Sequence, residues 1–114
     1  MAMIIRDQQI KAFREVSLSR FGKRMVKFVR ENYNQKVSAL NDEALNKNIR
    51  TLMDQAEGFG FKTEYEVMRF ISLNYFYNWN GKITDEQILK LFRNKGFTPK
   101  QKFMILKDIL KTKS

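Results

Sequence analysis

The 114-residue sequence predicts an all-α fold, a compact bundle of about five helices around a buried central helix at residues 63–78, in a single domain spanning residues 1–114. Three observations lead there. Apolar residues recur at spacings of three and four in several separate segments, and no segment sustains the two-residue alternation of a strand. The stretch TEYEVMRFISLNYFYNW is apolar or aromatic on nearly every side, leaving only a narrow polar strip of Glu66, Arg69 and Ser72. A helix hydrophobic most of the way round is one that its neighbours cover.

The first helix is expected between Arg6 and Tyr33, where Ile10, Phe13, Val16, Phe21, Met25, Phe28 and Val29 keep the helical spacing and Asp7 is placed to cap. Two serines and a glycine between Ser17 and Gly22 lower helix propensity, which makes that stretch the place for a kink in an otherwise continuous helix. Its basic face carries Lys11, Arg14, Lys23, Arg24, Lys27 and Arg30, and Asn32, Tyr33 and Asn34 mark the exit into a loop that runs through Val37 and Leu40.

Asn41 or Asp42 then caps a second helix with a one-sided stripe of Leu45, Ile49, Leu52 and Ala56, ended by Gly58 and Gly60. Asp42 and Glu43 fall in its first turn, where the helix dipole favours negative charge, so they read as terminus stabilisers and not as a catalytic pair. The GFGFK loop delivers Phe59 or Phe61 against the start of the central helix. That helix opens on a capping box, Thr63 with Glu66 three residues on. Asn78, Asn80 and Gly81 break the pattern, and Thr84 with Gln87 is expected to begin a short fourth helix holding Ile88, Leu89, Leu91 and Phe92. Gly96 is placed for a left-handed cap behind it. Thr98 and Pro99 open the last helix, with Phe103, Leu106, Ile109 and Leu110 inward and Lys100, Lys102, Lys107, Lys111 and Lys113 outward.

With no cysteine there is no disulfide framework, which suits a reducing compartment, and no apolar run approaches the roughly 18 residues a membrane span needs. The opening MAMIIRDQQ lacks the order of a signal peptide, so the expected location is cytoplasmic, with no membrane insertion. A chain without His or Cys lacks the commonest general base, the commonest metal ligand and the thiol nucleophile. Glu64 and Glu66 are explained by the helix start, and GFGFK lacks the Lys-Ser or Lys-Thr of a phosphate loop. The expectation is a non-catalytic protein with no cofactor, no metal site and no catalytic residue.

What remains is binding. Lys and Arg number 22 against 12 Asp and Glu, for a formal charge of +10, and the excess sits towards both ends of the chain. Such a surface attracts an acidic protein or nucleic acid, unless it is only a solvated Lys-rich face. Aromatics at this density on a helix are mostly core, but Tyr77 and Trp79 lie at the helix exit beside Asn78 and Asn80, where a polar handle on an aromatic body suits an interface edge. The candidate partner-binding residues are therefore Tyr77, Trp79, Arg14, Lys23, Lys27 and Arg30. If the first and last helices lay side by side, Lys100, Lys107 and Lys111 would join the basic set for nonspecific nucleic-acid binding.

Three stretches together resemble a group of small bacterial proteins encoded near type VI secretion spike and effector genes. They are IIRDQQIKAFREVSLSRFGKRMVKFVRENY, with its Arg20-Phe21 pair and aromatic exit, AEGFGFKTEYEVMRFISLNY, and Trp79 followed by Ile88-Leu89 and FTPKQK. The likeness covers nearly the whole chain, but every matched position is a helix boundary or a core position. The stretch before the tryptophan that carries Gly and Asp in many of those proteins is reduced here to Asn78, so no loop function transfers. The resemblance implies an accessory part in a toxin-delivery locus: an adaptor or chaperone loading an effector onto the spike, or an immunity protein neutralising a toxin. The protein partner would be the effector, a spike component or the toxin.

Overall fold

The computed structural model of the chain describes residues 19–113, and every regular element among them is helical: α1 over 19–32, α2 at Asn34–Val37, α3 at Asp42–Gly58, α4 at Glu64–Phe76, α5 at Glu86–Arg93 and α6 at Pro99–Lys113. The all-α expectation holds. The chain forms two compact units, one ending at Ile49 and the other beginning at Arg50, so the division falls within α3.

In the first unit, Phe21, Met25 and Val29 of α1 are buried at helical spacing, together with Val37, Leu45 and Ile49. Helix runs unbroken through Gly22, where an added Cβ would make only an ordinary contact with the Asn46 side chain. Ser17, and with it Asp7, Ile10, Lys11, Phe13, Arg14 and Val16, lies outside the described residues. The expected loop after Tyr33 instead contains the extra helical turn α2, which buries Val37. Arg30 explains it. Its guanidinium donates to the carbonyl oxygens of Val37 at 2.9 Å and Leu40 at 2.6 Å, and to the Asp42 carboxylate at 2.9 Å. One planar side chain thus ties the end of α2 and the turn after it to the start of α3. Of the two possible caps for α3 it is Asn41 that serves, accepting from the Ala44 amide at 2.8 Å.

The second unit is built on rings. Phe61, Phe70 and Phe92 are fully buried, and Phe61 stacks on Phe103 at 4.8 Å with an interplanar angle of 15°. The turn after α3 brings in both candidate phenylalanines: Gly60 takes φ +89°, the Phe61 amide returns to the Ala56 carbonyl, and both Phe59 and Phe61 contact the Phe70 ring. Only a glycine holds that backbone without strain. The capping box at Thr63 and Glu66 is present in both directions.

Four details differ from the sequence reading. α4 buries one stripe, Phe70, Ile71, Asn74 and Tyr75, while Tyr65 and Phe76 are 62% and 60% exposed; its apolar content exceeds what its neighbours cover. Asp85, not Thr84, caps α5, because its carboxylate accepts from the Gln87 and Ile88 amides. Gly96 is not left-handed; α5 ends at Asn94 in extended backbone, and the Asn94 side chain takes the Gly96 amide. Lys102, expected outside, is 4% exposed. α6 begins on a second reciprocal cap, Thr98 with Gln101.

Candidate functional site

The C-terminal end of α4 is shaped by one buried amide. Asn74 is fully buried, donates its side-chain nitrogen to the Phe70 carbonyl at 2.9 Å and accepts the Gly81 amide on its side-chain oxygen at 2.9 Å. Its backbone carbonyl accepts the Trp79 amide at 2.9 Å. The two bonds it accepts, from the Gly81 and Trp79 amides, fold residues 77–81 back over the helix end. Asn78, Asn80 and Gly81 take φ of +58°, +51° and +79°, the left-handed region that asparagine and glycine tolerate best. Gln55 closes the turn from α3 by donating to the Gly81 carbonyl at 2.7 Å.

This fold-back produces an aromatic corner. Tyr77 stacks on Trp79 at 5.5 Å and 21°, and Phe76 meets Tyr77 edge-on at 4.8 Å. Trp79 is half-buried, with its ring 6.4 Å from the core ring of Phe92, whereas Tyr77 is 38% exposed. A rigid aromatic pair rooted in the core and open on its outer side is what an interface anchor requires, because few rotamers remain to be frozen on binding.

The structure brings the rings of Tyr77 and Trp79 together. It leaves the basic candidates apart in kind. Lys23 and Lys27, exposed and one turn apart on α1, belong to the first unit. Arg30 is a correction: its donors are given to Val37, Leu40 and Asp42, so it holds the chain together and does not present a free cation to a partner. Arg14 lies outside the described residues. Phe76, one of the helix aromatics expected in the core, is exposed, and the part that Asn74 plays is not among the expectations. The signal for Asn74 was available, since it is the lone amide on the buried stripe and stands one turn before a cluster of Asn and Gly.

Two other features bear on chemistry. Burial lowers the Lys102 pKa from its ordinary value, as in amines that react with carbonyl substrates, but this ammonium donates to the Phe59 and Phe92 carbonyls at 2.8 and 2.6 Å inside the core. It serves the fold. Among the described residues no cluster of acidic side chains is arranged to hold a metal ion, and no helix is long and apolar enough to cross a membrane. Compared with protein-family models, curated proteins and solved structures, the chain gives no significant match.

Proposed function

We propose that the protein is a non-catalytic protein-binding module, an adaptor or chaperone that works in a bacterial toxin-delivery locus of the type VI secretion kind. The observation that carries the binding reading is the Phe76, Tyr77 and Trp79 corner, a preorganised aromatic surface left open by a chain with no His or Cys. The locus follows from the sequence resemblance. An adaptor needs a rigid surface for one partner and no reactive group, and this one is fixed by hydrogen bonds from Asn74.

The test is co-purification of the tagged chain from cells that express the neighbouring effector gene. The effector product is expected in stoichiometric amount with the wild type and is expected to be lost with Tyr77→Ala. Recovery of nucleic acid alone, released by salt with the steep dependence of phosphate contacts, would replace this reading with nonspecific nucleic-acid binding. Deleting the gene separates the two protein-binding roles. An adaptor deletion is viable and loses toxin secretion, whereas lethality only when the adjacent toxin is active marks an immunity protein whose positive surface covers an acidic toxin face.

A further inference from the structure

Arg69 of α4 lies over two rings, with its guanidinium carbon 4.5 Å from the centroid of Phe103 on α6 and 6.0 Å from that of Tyr65, one turn earlier on α4. A guanidinium drawn to ring faces still carries its full fork of N–H donors. Arg69 is exposed, and among the described residues those donors meet no acceptor. Phe103 beneath it is buried, and Lys100 and Lys107, one turn to either side of Phe103 on α6, are exposed. Three cations therefore share one face. Two carboxylates lie beside them: Glu66, one turn before Arg69 and accepting the Lys62 and Thr63 amides on one oxygen, and Asp108, one turn after Met104 on α6, so the cations outnumber the acids on this face by three to two.

The same face is apolar in parts. Tyr65 and Phe76 stand in line with Arg69 along α4, and Met104 follows Phe103 on α6, at 62%, 60% and 62% exposure respectively for Tyr65, Phe76 and Met104. We infer that this α4 and α6 face docks an acidic amphipathic protein segment, with one carboxylate forked by Arg69, further acidic groups near Lys100 and Lys107, and apolar side chains laid on Tyr65 and Met104. Charge complementarity selects the occupant. A second copy of a chain at +10 would be repelled, and a nucleic acid would have no use for a bare methionine between the lysines. The inference rests on the protein-binding reading above and adds the chemistry of the partner.

The probe is a short labelled helical peptide with Glu and Leu on one face, compared by fluorescence anisotropy with its Glu→Gln counterpart, an oligothymidylate and phosphatidylglycerol vesicles, all against the full chain. The Glu peptide is expected to bind, and the Gln peptide about tenfold more weakly. Arg69→Lys, which keeps the charge and loses the planar fork, is expected to weaken the Glu peptide about tenfold with an unchanged circular dichroism spectrum. Equal binding of the two peptides, no binding of the Glu peptide, or an Arg69→Lys variant that binds like wild type overturns the inference. So does tighter binding of the oligothymidylate or the vesicles, lost on Arg69→Lys. In each of these cases effector co-purification that depends on Tyr77 still stands or falls by itself.

Discussion

The ammonium of Lys102 donates a 2.6 Å hydrogen bond to the carbonyl oxygen of Phe92, next to last in α5, and a second at 2.8 Å to the carbonyl of Phe59, just past the end of α3. Each acceptor lies at the negative end of a helix dipole, so one buried cation ties two helix C-termini together. Lys102→Met fills the space and removes the donor. The expected loss is about 1–3 kcal/mol for each carbonyl left without a partner, read as a lower urea midpoint at unchanged slope.

Burial also sets how stability responds to alkali. The Lys102 pKa is lowered from 10.5, so between its folded value and 10.5 the unfolded chain holds the extra proton, and this group makes the protein more stable as pH rises through that window. Tyr75 acts in the opposite sense. Burial raises its pKa above 10.0, so the unfolded chain releases the proton first and stability falls as pH climbs from 10.0 towards the folded value. The difference in unfolding free energy between wild type and Lys102→Met should grow on going from neutral pH to 10.5, and that between wild type and Tyr75→Phe should shrink above 10.0. Flat differences would show that the two groups titrate alike in both states.

At the end of α4, Gly81 is the least replaceable of the three left-handed residues. Its φ is +79°, and a Cβ there would come within 3.4 Å of the Gln55 side chain that bonds its carbonyl. Gly81→Ala is expected to cost about 1–2 kcal/mol, while Asn80→Gly stays within about 0.5. Asn74→Ala strips the acceptor from the Gly81 amide and is expected to broaden the near-ultraviolet signal of Trp79, since the turn that seats the ring is loosened.

The helices were legible because their ends are written in the sequence: Thr63 with Glu66, Thr98 with Pro99, and Gly60 after α3. Periodicity found the buried stripe of α4 but overstated it, because apolar residues on all sides say nothing about how many neighbours arrive to cover them. Lys102 was misplaced for a related reason. Lysine takes a buried position only where carbonyls from elsewhere in the chain converge, and Phe59 and Phe92 are 43 and 10 residues away from it. The sequence puts Arg30 on a basic face and Arg69 on a narrow polar strip. Their different roles depend on what lies beside them, the Val37 and Leu40 carbonyls for one and two rings for the other.

That contrast predicts an asymmetry at the Arg30 and Asp42 pair. The two side chains meet at 2.9 Å, yet Asp42 is 83% exposed, and an exposed ion pair contributes at most about 1 kcal/mol. Asp42→Asn should therefore change stability little. Arg30→Ala removes the donor that holds the Val37 and Leu40 carbonyls and is expected to destabilise by more than Asp42→Asn, with a difference that persists in high salt. Equal effects of the two substitutions would mean that the carbonyl contacts contribute nothing beyond the ion pair.

The sharpest contrast lies between Phe70 and Trp79. Phe70 is fully buried among Phe59, Phe61 and Phe92, and Phe70→Asp drives an unpaired charge into that ring cluster at a cost of several kcal/mol against a total stability of about 5–15. It is expected to unfold the protein. Trp79 is half-buried, and the hydrogen bond that fixes its position runs from its backbone amide to Asn74, which the substitution to alanine keeps. Trp79→Ala should therefore retain its helical circular dichroism, lose less than the about 3–5 kcal/mol of a fully buried tryptophan, and fail to capture the effector because Tyr77 has lost the ring it stacks on. If Trp79→Ala unfolds as Phe70→Asp does, the indole is ordinary core, and the aromatic corner must be given up as the binding surface.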